Sequence, residues 1–442
     1  MKRRDFFRRG FSSVVLPSLI NGFSIRAMAA APFLQEGAGL EDPDRILVLV
    51  QLNGGNDGLN MVIPLEHYDA YYAARSNIAI PSSKVLSLEG YAGTGLNPAM
   101  PELQALFHEG RLSIVQGVSY PQPNFSHFRA TDIWLTGADA GQVLQTGWAG
   151  RYLHDIYPGF PDNYPNSAMP DPLAIQVGSL VSPALQGPAL TMGMAITNPN
   201  SFYDLINDRP EAVSATSPIR AGEQLAYIRQ MSVKTDQYAG VIKRAAQRVQ
   251  QQSDKYPAAG KNVLADQLKI VARLVAGGLK TKIYIVSMGG FDTHARQTEP
   301  GDTTTGNHAK LLAKLSEAIG AFQNDLAFLR VGDRVMGMTF SEFGRRIRSN
   351  ASGGTDHGVA APVLVFGESV NPGIVGPGPL LPAVATVNDN VPMSYDFRAL
   401  YAGLLENWFG LDDLTAASLL GKSYIPVPLI RGVNAGGVGT RG

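Results

Sequence analysis

Histidine and carboxylate side chains recur in this chain at positions where they can act together. Of seven histidines, three stand near candidate strand ends or the loops that follow: His294, two residues after Asp292, then His308, and His357 beside Asp356. A fourth, His127, lies within Asn124-Phe125-Ser126-His127-Phe128-Arg129. Singly, each reads as a hydrogen-bonded structural residue. Gathered with Asp292, Glu342 and Asp356, they suit metal-assisted hydrolysis, in which carboxylates and imidazoles hold a divalent ion that polarises a phosphoryl or sulfuryl oxygen while a hydroxyl or water attacks. Ser126 is the nucleophile candidate, and capping the helix that begins near His127 is its competing role. Arg129, Arg345 and Arg346 can bind anionic oxygens, with solvated surface charge as the alternative. The chain has no cysteine, which excludes thiolate metal sites, disulfides and a cysteine nucleophile.

These residues need strands to deliver them. Arg45 to Leu52 is a continuous apolar run ending in Asn53-Gly54-Gly55-Asn56-Asp57-Gly58, the pattern of a strand buried on both faces of a parallel sheet. Similar runs stand at 112–118, 173–177, 283–288, 334–340 and 363–367. Helical periodicity over 101–109, 222–252, 262–275, 308–329 and 396–409 alternates with them. The expectation is an α/β fold with a mostly parallel central sheet and helices on both faces, whose strand ends converge on one crevice. The stretch around 200–280 reads as a helical insertion beside the sheet, the tail from Gly432 as loose, and the Asn53 to Gly58 turn as a close backbone approach, since it lacks the spacing of a dinucleotide or P-loop fingerprint.

The first 29 residues hold six of the 37 basic residues and one of the 37 acidic ones, which leaves the remainder at −5. A nucleic-acid partner would want the opposite sign. Arg3-Arg4-Asp5-Phe6-Phe7-Arg8, a modest apolar run from Phe11 to Phe23, and Ala27-Met28-Ala29 together make a secretory signal. Paired arginines followed by any residue and Phe resemble the twin-arginine motif. The expectation is cleavage after Ala29, release of residues 30–442 as a single domain into the periplasm or medium, and no stable membrane insertion, the twin-arginine translocase being a partner during export.

Taken in order, the twin-arginine start, the 52–60 segment, Ser126-His127-Phe128, Gly290-Phe291-Asp292-Thr293-His294, Ser341-Glu342-Phe343-Gly344-Arg345, Thr355-Asp356-His357-Gly358 and Asp396-Phe397-Arg398 resemble the bacterial exported family catalogued as domain of unknown function 1501. That family in turn resembles the alkaline phosphatase and sulfatase superfamily, which implies an alkaline-phosphatase-like core. In the resemblance, Ser126 through Thr136-Gly137 stands for the nucleophile helix, Asp292 with His294 or His308 for an Asp-His pair, and His357 for the final histidine. Two positions depart from the pattern: Asn53 where an Asp is expected, unless Asp57 reaches back, and Glu342-Phe343 where Asp-His is expected.

The roles that follow are Ser126 as nucleophile, Arg129 as anion binder, and Asp57, Asp292, His294, Glu342 and His357 as ligands of one or two divalent ions (Zn, Mg, Ca or Mn). The activity implied is hydrolysis of an anionic phosphate or sulfate ester. The alternative is a catalytically degenerate periplasmic binding or scaffold protein of the same fold, to which Asn53 and Phe343 point.

Overall fold

A computed structural model describes residues 44–198 and 237–432, together with two short upstream strands, Leu19–Ile20 and Phe23–Ser24, which pair antiparallel. Residues Met1–Leu40 and Glu41–Gly442 form separate units. Most of the expected signal at 1–29, the 199–236 part of the helical insertion, and the tail beyond Gly432 lie outside the described residues.

The run expected to be a doubly buried strand is β1 (Ile46–Leu52). Its side chains alternate as a strand requires: Ile46, Val48, Val50 and Leu52 enter one apolar core, and Leu47 and Leu49 enter the other. In the same sheet or the hairpin beside it follow β2 (Leu112–Ser119), β3 (Ala174–Val177), β4 (Met194–Ile196), β5 (Ile283–Met288), β6 (Val335–Phe340), the hairpin β7 (Gly344–Ser349) with β8 (Thr355–Gly358), β9 (Ala361–Phe366), β10 (Gly373–Val375) and β11 (Tyr395–Asp396), while Val62–Pro64, Leu86–Ser87 and Thr94–Leu96 form a separate three-stranded sheet. Across the nine-stranded sheet the order is β10-β2-β9-β6-β1-β5-β3-β4, with β11 also on β2. Only β9 runs antiparallel to β1; the other seven run with it.

The helices are α1 (Gly58–Met61), α2 (Tyr68–Arg75), α3 (Pro101–His108), α4 (His127–Thr136), α5 (Trp148–Ile156), α6 (Val263–Ala276), α7 (Asn307–Phe328), α8 (Phe397–Gly403) and α9 (Asp413–Leu420), with a further helical stretch at 237–248. Helices α3, α6 and α7 cover the Val48 face, and α4, α5 and α8 the Leu47 face. The expected mostly parallel sheet with helices on both faces is therefore what forms. Short β4, β10, β11 and the β7-β8 hairpin have no counterpart among the expected strands; each is too brief or too polar to stand out by periodicity. Among the described residues no helix is long and apolar enough to cross a membrane.

Because β1, β2, β5 and β6 are parallel, the polar segments that follow them meet at one end of the sheet, the usual place for sites in α/β folds. Strand β9 runs the other way, so the hairpin that precedes it arrives at this same end.

Candidate metal centre

Three imidazoles converge on one carboxylate. His127 comes from the first turn of α4, Asp292 and His294 from the loop after β5, and His357 from the hairpin strand β8. His127 Nε2 lies 3.5 Å from Asp292 Oδ2, His294 Nε2 3.2 Å from Asp292 Oδ1, and His357 Nε2 3.3 Å from the same oxygen. The two nitrogens of His294 and His357 are 2.9 Å apart. Ligand atoms of His127, Asp292 and His357 all lie within 4.8 Å of one another.

The outer nitrogen of each ring identifies the inner one. His127 Nδ1 is 2.7 Å from Glu342 Oε1, His357 Nδ1 is 2.8 Å from the carbonyl of Phe125, and His294 Nδ1 is 3.3 Å from Asp356 Oδ1. Carboxylates and carbonyls only accept, so a ring that donates through Nδ1 leaves its Nε2 lone pair directed at Asp292. Lone pairs and an anionic oxygen at these distances repel unless a proton or a cation lies among them. Burial first, and then the Arg345 charge, hold His357 below the usual imidazole range, which favours its neutral form. Three imidazole nitrogens and one carboxylate are a donor set for a divalent transition ion, and a carboxylate behind a histidine is the common way to orient such a ligand.

Below this group lies Arg345. Its side chain is fully buried, with Nη2 2.6 Å from Asp292 Oδ1. Nε donates to Gly55 O at 2.6 Å and Nη1 to Thr355 O at 2.7 Å; Nη2 also reaches the carbonyls of Gly54 and Phe291. One guanidinium thus ties together the segments after β1 and β5 and the hairpin. Burial alone would raise the Asp292 pKa, but the Arg345 hydrogen bond and charge outweigh it and lower it, so Asp292 is a carboxylate.

Glycine makes this approach feasible. Gly54 has φ +125°, and a Cβ there would sit 2.3 Å from the backbone nitrogen of Asp292; at Gly55 (φ +74°) it would strike the Phe343 ring at 2.3 Å. Phe343 occupies the place where a histidine was expected. Its ring packs on His127 and His357 with centroids 4.9 and 4.4 Å away, so it shapes the centre by contact instead of by ligation.

The structure brings Asp292, His294 and His357 together and puts Glu342 one step behind them, where Oε1 accepts from His127 Nδ1 and from the Gly54 backbone N–H at 2.9 Å. Asp57 is elsewhere, and its expected place among the ligands is corrected. It is buried with both oxygens 2.8 Å from Arg75 Nη1, and its Oδ2 accepts from Gln297 Nε2 at 2.5 Å. Burial would raise its pKa; the charges of Arg75 and His308 and its hydrogen bonds lower it instead. Of the two histidines left open, His294 stands beside Asp292, whereas His308 is buried with Nε2 2.9 Å from Asn56 Oδ1.

Arg129 is corrected too. It pairs with Asp132 and donates to the carbonyls of Asp139, Ala140 and Gln142, so it clamps the loop after α4 and is not poised for an anion. Arg346 stacks on Phe125. Ser126 stands at the N-cap of α4, yet its side chain makes no cap hydrogen bond. It is exposed, between Phe125, whose carbonyl holds His357, and His127. His127, which joins this group, was not among the expected ligands, although Ser126-His127-Phe128 stood out as a motif. Arg75 left no signal, being one arginine on an amphipathic helix.

Residues 208–420, 213 of the 442, match the family model described as Protein of unknown function (DUF1501), which bears out the resemblance read from the motifs. No curated protein matches the chain. Among solved structures, it resembles a protein of the alkaline phosphatase superfamily from Vibrio parahaemolyticus (13% identity, 86% of this chain and 69% of that one, TM-score 0.39). It also resembles the C-terminal periplasmic domain of EcEptC from Escherichia coli (10%, 85% and 84%, TM-score 0.38) and the PsFucS1 sulfatase from Pseudoalteromonas sp. (10%, 75% and 64%, TM-score 0.34). At scores below 0.5 these likenesses say nothing of chemistry.

Proposed function

We propose that this is an exported, metal-dependent hydrolase of anionic phosphate or sulfate esters, carried out of the cytoplasm by the twin-arginine translocase. The observation that carries the reading is the convergence of three imidazole Nε2 atoms on the Asp292 carboxylate. A divalent ion held there would supply a Lewis acid for the ester oxygen. Everything else belongs to the chain. Glu342, Asp356 and the Phe125 carbonyl orient the imidazole rings, Arg345 keeps Asp292 ionised and in place, and Phe343 packs two of the rings. Ser126 offers a hydroxyl beside His127, free of a helix-capping bond, as the attacking oxygen.

The test is elemental analysis of the purified protein, followed by assays on 4-nitrophenyl phosphate, bis(4-nitrophenyl) phosphate and 4-nitrophenyl sulfate. One divalent ion per chain, lost in His357→Ala, with turnover lost in Ser126→Ala, is the expected result. A folded protein that binds no zinc, manganese or magnesium overturns it.

One observation favours a second reading, a metal-holding periplasmic binding or scaffold protein. Arg129 and Arg345 are committed to protein acceptors, so neither is free for the oxygens of a transferring group, and Lys310 and Lys314 line a separate pocket beside Asp292. Stoichiometric metal without turnover of any of the three esters selects this reading.

A further inference from the structure

A cleft of about 750 Å³ opens from the centre and shares His127, Asp292 and Glu342 with it, a size typical of small-molecule sites. Helix α4 forms one wall through Phe128, Thr131 and Leu135, and the segment Leu180-Val181-Ser182-Pro183 forms another. Phe128 is 91% exposed and Leu180 79% exposed, so large apolar groups stand in water on its walls. No lysine or arginine lines the cleft. Its charged residues besides His127 are Asp292 and Glu342, already described, and Asp132, which is paired with Arg129.

We propose that the ester carries an apolar substituent, an aryl or alkyl group, which lies across Phe128 and Leu180 while the anionic centre rests at the Asp292 end. This rests on the hydrolase reading and narrows its substrate class. A substituent bearing further negative charge would meet three carboxylates and no cation. A highly hydroxylated one would find the amides of Gln51, Asn53 and Gln176 and the hydroxyls of Thr131 and Ser182, but would leave Phe128 and Leu180 uncovered. An apolar group covers both lips, and burial of such surface is the main source of affinity that this cleft offers. His127 and Phe128 are consecutive on α4, so ligand orientation and substrate wall are set by the same helix.

The test uses the full chain loaded with zinc. Two phosphodiesters share a 4-nitrophenyl leaving group and differ in the second substituent, methyl or phenyl. The phenyl ester is expected to have the higher kcat/KM by about tenfold or more. Binding is read without turnover by the fluorescence of 1-anilinonaphthalene-8-sulfonate, an aryl group with one anionic charge. In the double variant Phe128→Ser, Leu180→Ser, both the preference and the fluorescence should fall about tenfold. Zinc stoichiometry and Tm should stay unchanged, since both side chains are exposed. Equal kcat/KM for the two esters in wild type, or a preference and fluorescence that survive the double variant, overturns the inference while leaving the hydrolase reading intact. Turnover of neither diester overturns the inference; failure to bind zinc, manganese or magnesium, or to turn over any of the phosphate and sulfate esters named above, overturns the hydrolase reading with it. The two failures are distinguished before any variant is made.

Discussion

At the residue scale, the centre depends on how each histidine ring is turned, and that is set by atoms one step further out. Glu342 is the clearest case, since its Oε1 accepts both from His127 Nδ1 and from the Gly54 N–H. Replacing it by glutamine keeps an acceptor but removes the charge, and alanine removes both. Outer groups of this kind are typically worth 10–100-fold in metal affinity. Glu342→Gln should therefore weaken zinc binding about tenfold and Glu342→Ala about a hundredfold, measured by competition with a chromophoric chelator. Equal affinity in all three proteins would mean that His127 is not a ligand. The sequence pointed to Asp292, His294, Glu342 and His357 because polar residues after apolar runs are readable. It did not separate the metal-facing residues from the one that orients them, because that difference is a matter of which atom faces which, and spacing along the chain carries no such information.

At the element scale, the loops that bear these residues are pinned by a buried polar chain that runs from helix α2 to the hairpin. Arg75 binds Asp57 through Nη1 and donates from Nε and Nη2 to the carbonyls of Ile347 and Arg346 on β7 at 2.9 and 2.6 Å. Gln297 links Asp57 onward to the hydroxyls of Thr293 and Thr355 at 3.0 and 3.1 Å, next to Asp292, His294 and Asp356. Removing one member of a buried ion pair strands the other charge, at a cost of about 3–5 kcal/mol, whereas removing both often costs far less. Arg75→Met should lose about that much in chemical denaturation, and Asp57→Asn combined with Arg75→Met should recover part of it; a single variant as stable as wild type would show that the pair holds nothing. Strands β1, β5 and β6 were legible to within about one residue because long apolar runs dominate their neighbourhoods. The hairpin was not, because Gly344–Ser349 and Thr355–Gly358 are polar and take their order from Arg75 and Gln297, which are distant in sequence.

At the scale of the whole molecule, burying so many polar groups beneath the strand ends makes stability depend on pH. The α/β class and the placement of a site at one end of the sheet were legible from the alternation of runs, but which titratable groups would be sealed inside was not. His308 is the instructive case, since it seemed as good a ligand as His294 and is instead fully buried, with its pKa pushed down from 6.5 to about 4. Burial is the main cause, opposed by the charge of Asp57 and aided by those of Arg345 and Arg75. In the folded protein the ring therefore stays neutral down to about pH 4, while in the unfolded chain it takes up a proton below 6.5. The unfolded state binds more protons within that window, so stability is fully present above it and falls as the pH drops through it, by about 1.4 kcal/mol per unit and about 3 kcal/mol in all. Asp57, lowered in the folded state, withdraws its contribution only as the pH falls below the ordinary carboxylate range, so the two effects separate along the pH axis. His308→Gln keeps a donor for Asn56 and does not titrate. Denaturation curves at pH 7, 6 and 5 should show wild type losing stability relative to this variant at each step, most steeply from 6 to 5. Parallel losses in the two proteins would mean that the ring is reached by protons in the folded state and that the floor of the site is more open than its packing indicates.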